Sequence, residues 1–453
     1  MRLNHRSSGN LAADVIRPQY DPSAQSVGIV HLGIGAFHRA HQAWYTDRAM
    51  GMGDRNWAIA GVSLRSPSVA NQMNPQDGLY TVTERSSSGS STRLIGAIRD
   101  VLVAPTEPER LIALLAAATT HIVSLTITEK GYCRAPDGSL DLSLATEGTV
   151  FTYLSSAMRR RRDAGIGGLT LLSCDNLADN GRVLARLMRE YLDHYDPSLI
   201  QWFDAECTCP STMVDRIVPA TTDADRVELA QRIGLVDEAA VMTEAFSQWV
   251  IEDRFAGPRP RWEAVGAEIV GDVRPYETAK LRMLNGAHSA LAYIGLRQGH
   301  TFVHQAIDDP AIRPLIERLM REEAAPTILA APGQDLEQYA SALLERFANP
   351  ALNHRLSQIA MDGSQKIPQR WLETLAANRQ QGRNCPAILT GIACWIAHLR
   401  GANGPVDDPR AAELSPVAAG PDPVDGLFGP KALLASDWSP DRSDLALISQ
   451  QLN

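Results

Sequence analysis

Cysteine is scarce in this chain: six residues, Cys133, Cys174, Cys207, Cys209, Cys385 and Cys394, are scattered through 453 positions with no C-x-x-C pair. So few cannot form a disulfide scaffold, and Cys207 and Cys209 stand too close together for an ordinary zinc ligand pair. Cationic excess is missing as well. A formal net charge of -9 leaves no surplus of Lys and Arg to neutralise a phosphate backbone, which excludes nucleic acid as the expected partner. Long apolar runs are also absent. The N-terminal stretch MRLNHRSSGNLAADVIRPQYD has no continuous apolar core of the kind a secretory signal needs, and residues 111–128 and 388–399 are too polar or too short to span a bilayer. The expectation is a cytoplasmic protein, off the membrane, that meets a small molecule.

What is present is an ordinary globular composition, 44% hydrophobic and 21% charged, in a chain long enough for two domains. Short apolar runs at 27–32, 57–64 and 121–128, an extended stretch at 94–103 and a further run at 169–174 read as strands. Helical patterns at 108–118 and 180–194 alternate with them, which predicts a parallel, doubly wound sheet. From about residue 275 the texture changes to long helical patterns (275–297, 309–323, 335–347, 386–400). The predicted fold is therefore an α/β N-terminal domain of Rossmann type, residues 1–272, followed by a mainly α-helical domain, residues 273–453. Residues 86–92 (SSSGSST) and the Pro/Ala/Gly/Asp-rich 402–430 read as surface loops.

The first strand runs into Gly33-Ile34-Gly35-Ala36-Phe37-His38-Arg39. A strand, a glycine turn and a helix N-terminus bring backbone N–H groups to a pyrophosphate, so these seven positions, Ile34 apart, are candidate dinucleotide contacts. The third glycine of the usual fingerprint is replaced by His38, and the motif alone also suits a plain tight turn. No acid follows the second strand. Arg65 and Ser66 stand there and suit a 2'-phosphate, so NAD is expected with NADP left open.

The densest polar cluster is Tyr276-Glu277-x-x-Lys280-x4-Asn285-x-x-His288. On an α-helical projection of ~100° per residue, with Lys280 at zero, Glu277, His288 and Asn285 fall at about 60°, 80° and 140°. Leu281 and Leu284 lie among them, so the quartet sits in an apolar wall. Alcohol oxidation needs a base, and desolvation lowers a lysine from ~10.4 towards neutrality. Asn285 and His288 would hold the developing alkoxide. A buried Glu277–Lys280 ion pair with a packing Asn and His fits the same spacing. Asn176, just past the strand at 169–174, stands where open α/β sheets bind ligands, and also where turns favour Asn.

Seven ordered segments resemble the polyol-specific long-chain dehydrogenases, the mannitol dehydrogenase family: GIVHLGIGAFHRAHQ (28–42), VSLTITEKGYC (123–133), SCDNLADNG (173–181), TMVDRIVP (212–219), QWVIED (248–253), KLRMLNGAH (280–288) and MDGSQKIP (361–368). The resemblance implies a metal-independent NAD(P) oxidoreductase, often monomeric, with Lys280 as general base. It further implies Asn176 and Asn285 as an amide pair on the reacting oxygen and His288 beside them. Glu277 would gate proton exit, and Asp215 and Lys366 would bind substrate. A catalytically silent dinucleotide sensor is the rival from another class, and the intact Lys280, Asn285, His288 and Asn176 set speaks against it.

Within that family the substrate is either a neutral polyol such as D-mannitol or the sugar acid pair D-mannonate and D-fructuronate. Lys130, Gln358, His354-Arg355 and Pro368-Gln369-Arg370 resemble the acid branch. Lys130, Arg355 or Arg370 could pair with a carboxylate, a contact of no use to mannitol. The C-terminus reads as shorter than the family's norm.

Overall fold

The computed structural model describes residues 1–87 and 89–452. The chain divides into two compact units, Met1–Val273 and Arg274–Asn453.

The first unit carries eleven strands among the described residues: β1 Val27–Leu32, β2 Ala58–Ser63, β3 Tyr80–Ser86, β4 Gly89–Ile95, β5 Ile98–Val103, β6 Ile122–Leu125, β7 Thr170–Ser173, β8 Thr212–Asp215, β9 Val241–Glu244, β10 Gln248–Glu252 and β11 Glu268–Val270. Five of them form one sheet in the order β5-β2-β1-β6-β7, and every pairing in it is parallel. β1, β2, β6 and β7 are almost wholly buried, which is why they read as continuous apolar runs. The strand order reverses direction at β1, so the crevice for a ligand opens beyond the carboxyl ends of β1 and β6.

Two smaller sheets, β4-β3-β9 and β11-β10-β8, went unforeseen. β3 and β4 are rich in Ser, Thr, Arg and Glu, and β8, β9 and β11 have only three or four residues, so hydrophobic patterning does not announce them. The expected loop at 86–92 belongs to one of them: Ser86 ends β3, Gly89 begins β4, and Ser88 lies outside the described residues.

The second unit is helical and closes around one apolar core that includes Leu291, Ile392 and four tryptophan or phenylalanine rings, Trp371, Trp395, Phe428 and Trp438. Residues 402–430 are not simply loop. Helices Ala411–Ala418 and Pro423–Phe428 occur there because Leu414, Val424, Leu427 and Phe428 bury one face against that core.

The predicted helix at 275–297 is interrupted. Arg274–Ala279 is α, Lys280–Asn285 is π, and Gly286–Arg297 is α again. Two further π turns, Leu319–Ala324 and Pro368–Leu372, each pack against the first or continue a helix that does. Among the described residues no helix is long and apolar enough to cross a membrane.

Candidate functional site

In the first unit, β1 runs into Gly33 at φ 99. A side chain there would place Cβ 2.1 Å from the Thr126 carbonyl oxygen, so only glycine fits. Gly33 and Ile34 donate to Val62 O at 2.9 and 3.1 Å, and Gly35 donates to Gly33 O at 2.7 Å. The helix Ala36–Ala40 then starts with Gly35 as its N-cap. Gly35 differs from Gly33 in a telling way. Its φ is -97, and a Cβ there would meet only Gly33 O, at 3.8 Å. Packing within the chain does not demand glycine at 35, so the space in front of the helix N-terminus is open. Such open space is what a pyrophosphate approaching the turn would need.

The turn is braced from beneath. Thr126 Oγ1 donates to Gly33 O at 2.8 Å, which leaves that hydroxyl to accept from His31 Nε2 at 2.9 Å. Ser124 Oγ then donates to His31 Nδ1 at 2.8 Å. His38 lies on His31 with ring centres 3.3 Å apart and 13° between planes. The missing third glycine is thereby explained: close helix-to-strand packing is achieved by stacked imidazoles. Burial holds both rings well below the usual histidine range.

The side chains of His38 and Arg39 are engaged within the chain, which leaves only their main-chain groups for a coenzyme. His38 is fully buried and bonds Gln42, while Arg39 bonds the carbonyls of Gly35 and Ala239. Phe37 is half-buried and stacks on His41. Arg65 and Ser66 are exposed after β2, with Ser66 Oγ 3.0 Å from Ser68 Oγ.

The loops after β6 and β7 are tied together by Asp175. Its carboxylate accepts from Ile127 N at 3.0 Å, Thr128 N at 2.8 Å and the Tyr132 hydroxyl at 2.9 Å, and burial pushes it above the usual range. Thr128 is held at φ 62, which is costly for a β-branched residue and is stored where the crevice opens. These ties bring exposed Lys130 and exposed Asn176 to the same end of the sheet. Asp215, at the end of β8, is 6% exposed.

In the second unit the π turn changes the geometry drawn from an α projection. Lys280 and Asn285 are its first and last residues, and i→i+5 bonding brings such a pair over one another instead of at about 140°. Lys280, Asn285 and Glu277 are half-buried and His288 is buried. Trp371 Nε1 donates to Gly286 O at 3.1 Å, and Arg370 Nη1 donates to Ser289 Oγ at 2.8 Å. Burial lowers Arg370 to about 10. Lys366, in the same helical run, donates to Met361 O at 2.5 Å; burial and the Arg370 charge lower it as well. His288 is kept neutral by burial and by the nearby His354, Arg346 and Arg370.

Arg355 and Gln358 are exposed, and the Arg355 guanidinium lies 5.2 Å over the Phe302 ring. The bracing residues His31, Ser124, Thr126 and Asp175 were not foreseen as site residues. Only their proximity to the glycine turn and to Asn176 in sequence hinted at them. Among the described residues, no group of three or more His, Cys, Asp or Glu is placed to hold a metal ion.

Residues 27–264 match the family model described as the mannitol dehydrogenase Rossmann domain, and residues 272–421 match the mannitol dehydrogenase C-terminal domain. The chain is similar to D-mannonate oxidoreductase of Escherichia coli (strain K12), 40% identical over 446 residues covering 93% of this chain and 92% of that protein. It is 36% identical over 474 residues to a mannitol 2-dehydrogenase of Phaeosphaeria nodorum, covering 100% of this chain and 83% of that protein. A solved structure of Pseudomonas fluorescens mannitol 2-dehydrogenase, a ternary complex with NAD and D-mannitol, superposes with a TM-score of 0.84 at 34% identity, covering 100% of this chain and 96% of that one.

Proposed function

From the premise that this chain belongs to the mannitol dehydrogenase family, we propose that it interconverts D-mannonate and D-fructuronate with NAD as hydride carrier. More coarsely, it is an oxidoreductase of the CH–OH groups of polyols or sugar acids. Bound NAD supplies a hydride acceptor, and the chain's own residues do the rest. Gly33 and Gly35 open the way for the pyrophosphate to the helix N-terminus at Ala36. Lys280 takes the hydroxyl proton, with Glu277 one turn away to pass it on. Asn285 and His288 donate to the oxygen as charge develops on it, and Asn176 is the amide that the first unit offers by family resemblance. Asp215 and Lys366 hold further hydroxyls.

The observation that carries the sugar acid is Arg370. Its half-buried guanidinium lies against the helix of Lys280, and its hydrogen bonds within the chain, to Asn285 O and Ser289 Oγ, both use Nη1. A half-buried cation with Nε and Nη2 left over suits a carboxylate, and Lys366 nearby adds a second positive charge. Mannitol brings no charge to offset them. Lys130 in the first unit and Arg355 in the second are exposed cations suited to pairing with an acid, and Gln358 N donates to Arg355 O.

Resemblance to mannitol 2-dehydrogenases makes a neutral polyol the second reading. One absorbance panel decides between them: D-mannonate, D-altronate, D-mannitol, D-arabinitol and D-sorbitol, each with NAD and NADP. Turnover of mannonate above mannitol is expected. Mannitol turnover without mannonate turnover would sink the sugar-acid reading, and the coenzyme columns settle whether Arg65 and Ser66 favour NADP.

A further inference from the structure

Val406-Asp407-Asp408-Pro409-Arg410 falls in the stretch whose composition reads as surface loop. It is nevertheless fixed in place. Arg410 Nη1 donates to Leu433 O at 3.1 Å, Arg410 N donates to Asp408 Oδ1 at 2.9 Å, and Ala411 N donates to Asp408 O at 3.0 Å where the helix Ala411–Ala418 begins. From this anchored segment two groups reach the turn that precedes Lys366. Asp407 O accepts from Asp362 N at 2.9 Å. The Asp408 carboxylate takes Ser364 with both oxygens, Oδ2 accepting from N at 2.7 Å and Oδ1 from Oγ at 2.7 Å. Ser364 is 4% exposed, so without Asp408 two of its donors lose a partner away from water.

The turn has little freedom elsewhere. Asp362 is held at φ 56, in the left-handed region that few residues other than glycine adopt. Gly363 follows it, and a Cβ there would lie 2.5 Å from Trp395 Nε1 and 2.6 Å from the Tyr293 hydroxyl oxygen. That hydroxyl donates to Ala360 O at 3.0 Å. The outcome of this bracing is the placement of two carbonyls. Lys366 Nζ donates to Met361 O at 2.5 Å and to Ile359 O at 3.4 Å, with Asp362 Oδ2 4.0 Å away. An ammonium has three N–H groups, so two carbonyls fix its direction and leave one N–H for a ligand.

We propose that Asp408 is a positioning residue for substrate binding: by holding Ser364 it fixes the turn whose carbonyls aim the Lys366 ammonium. This rests on the reading that Lys366 holds a substrate hydroxyl, and Asp408 acts through Lys366. A binding group is only as well placed as the residues that support it, and here the support comes from 44 positions beyond Ser364. The charge of Asp408 has a second effect on the same side chain. Burial and the Arg370 charge lower the Lys366 ammonium, and the carboxylates of Asp362 and Asp408 oppose that. Asparagine at 408 separates the two effects. Its amide can accept from Ser364 N and donate to Ser364 Oγ, which keeps the turn in place but brings no charge.

The test is a double-mutant cycle in the full chain with D-mannonate and NAD. Asp408→Ala should raise the D-mannonate KM by about fivefold or more, with kcat and coenzyme Kd within about twofold. In a Lys366→Met background the same change should raise KM by less than about twofold, because the side chain it positions is gone. Asp408→Asn should keep KM within about twofold of wild type. An equal rise of KM on both backgrounds overturns the proposal, as does an Asn variant as impaired as the Ala variant. The chain has only four lysines, Lys130, Lys280, Lys366 and Lys431, so ¹³Cε-lysine spectra resolve each one. Asp408→Ala should move the Lys366 signal and leave the other three in place; an unmoved Lys366 signal overturns the proposal. If Asp408→Ala fails to fold, Ser364→Ala removes one of the two bonds and must shift KM and the Lys366 signal in the same direction, and no shift counts against positioning. If D-mannonate is not turned over, or Lys366→Met leaves KM unchanged, the functional reading fails on its own, while the Lys366 signal still judges the positioning.

Discussion

Arg370 donates from Nη1 to the main-chain oxygen of Asn285 at 3.2 Å, linking one π turn to another. The contact falls at the residue where the Lys280 turn hands over to regular α-helix. A single side chain therefore both steadies the polar cluster and brings positive charge to it. Changing Arg370 to Met should lower kcat/KM for D-mannonate by about 100-fold, from loss of a charge-assisted pair. Loss of the brace acts on every substrate, so D-mannitol should fall too, but by less. Equal losses on both substrates, read from the two kcat/KM values, would restrict Arg370 to bracing.

Lys280→Ala should reduce turnover by about a thousandfold, the scale of a lost general base, with little change in coenzyme affinity. Steady-state rates and a fluorescence titration with NADH check the two halves. Near wild-type turnover would remove Lys280 from the chemistry.

The two glycines of the turn should separate cleanly. Gly33→Ala forces a Cβ to within 2.1 Å of a carbonyl oxygen at a positive φ, so a stability loss of about 3 kcal/mol or outright misfolding is expected. Gly35→Ala meets no obstacle in the chain and should keep its melting temperature within a few degrees. Its coenzyme Kd should nevertheless rise about tenfold or more, because the methyl occupies the approach to the helix N-terminus. Unchanged affinity in Gly35→Ala would mean that the ligand does not come close there.

Glu323 is 1% exposed and accepts from Ala387 N at 2.8 Å and Ile388 N at 2.9 Å, capping the helix Pro386–Leu399. Burial outweighs those bonds and raises it from 4.5 to about 7. A raised folded value means that stability is fully present below the unfolded pKa and is lost as pH climbs through the folded one. Between about pH 4.5 and 7 the wild type should lose about 3 kcal/mol relative to Glu323→Gln, which cannot ionise. Urea unfolding of both proteins at several pH values measures the difference, and parallel pH profiles would show that the fold does not shift the Glu323 pKa.

Much of this was legible from residue order because burial on both faces makes a strand a continuous apolar run. β1, β2, β6 and β7 announced themselves that way, and so did the glycine turn after Leu32. The π turn was not legible. It shifts every later residue by a fraction of a turn without altering the apolar pattern, so Lys280, Asn285 and His288 were gathered on one arc by an angle that the chain does not use. The inward turn of His38 was illegible for a different reason. Position in a motif does not say which way a side chain points, and stacking on His31 drew it inward. His354 drew notice only for its likeness to the acid branch. Its relation to His288, 66 positions earlier in sequence, depends on tertiary packing that no spacing encodes.

The brace between Arg39 and the Ala239 carbonyl spans 200 residues of chain, and Arg216 reaches back 176 residues to Ala40. At about 5–20 residues per second, a ribosome delivers β1 some 10–40 seconds before Ala239. The strand and its glycine turn thus wait in the nascent chain without their anchors. Coenzyme can find a finished cradle only after more than half of the protein has been synthesised, which makes its binding a late event in the life of each new molecule.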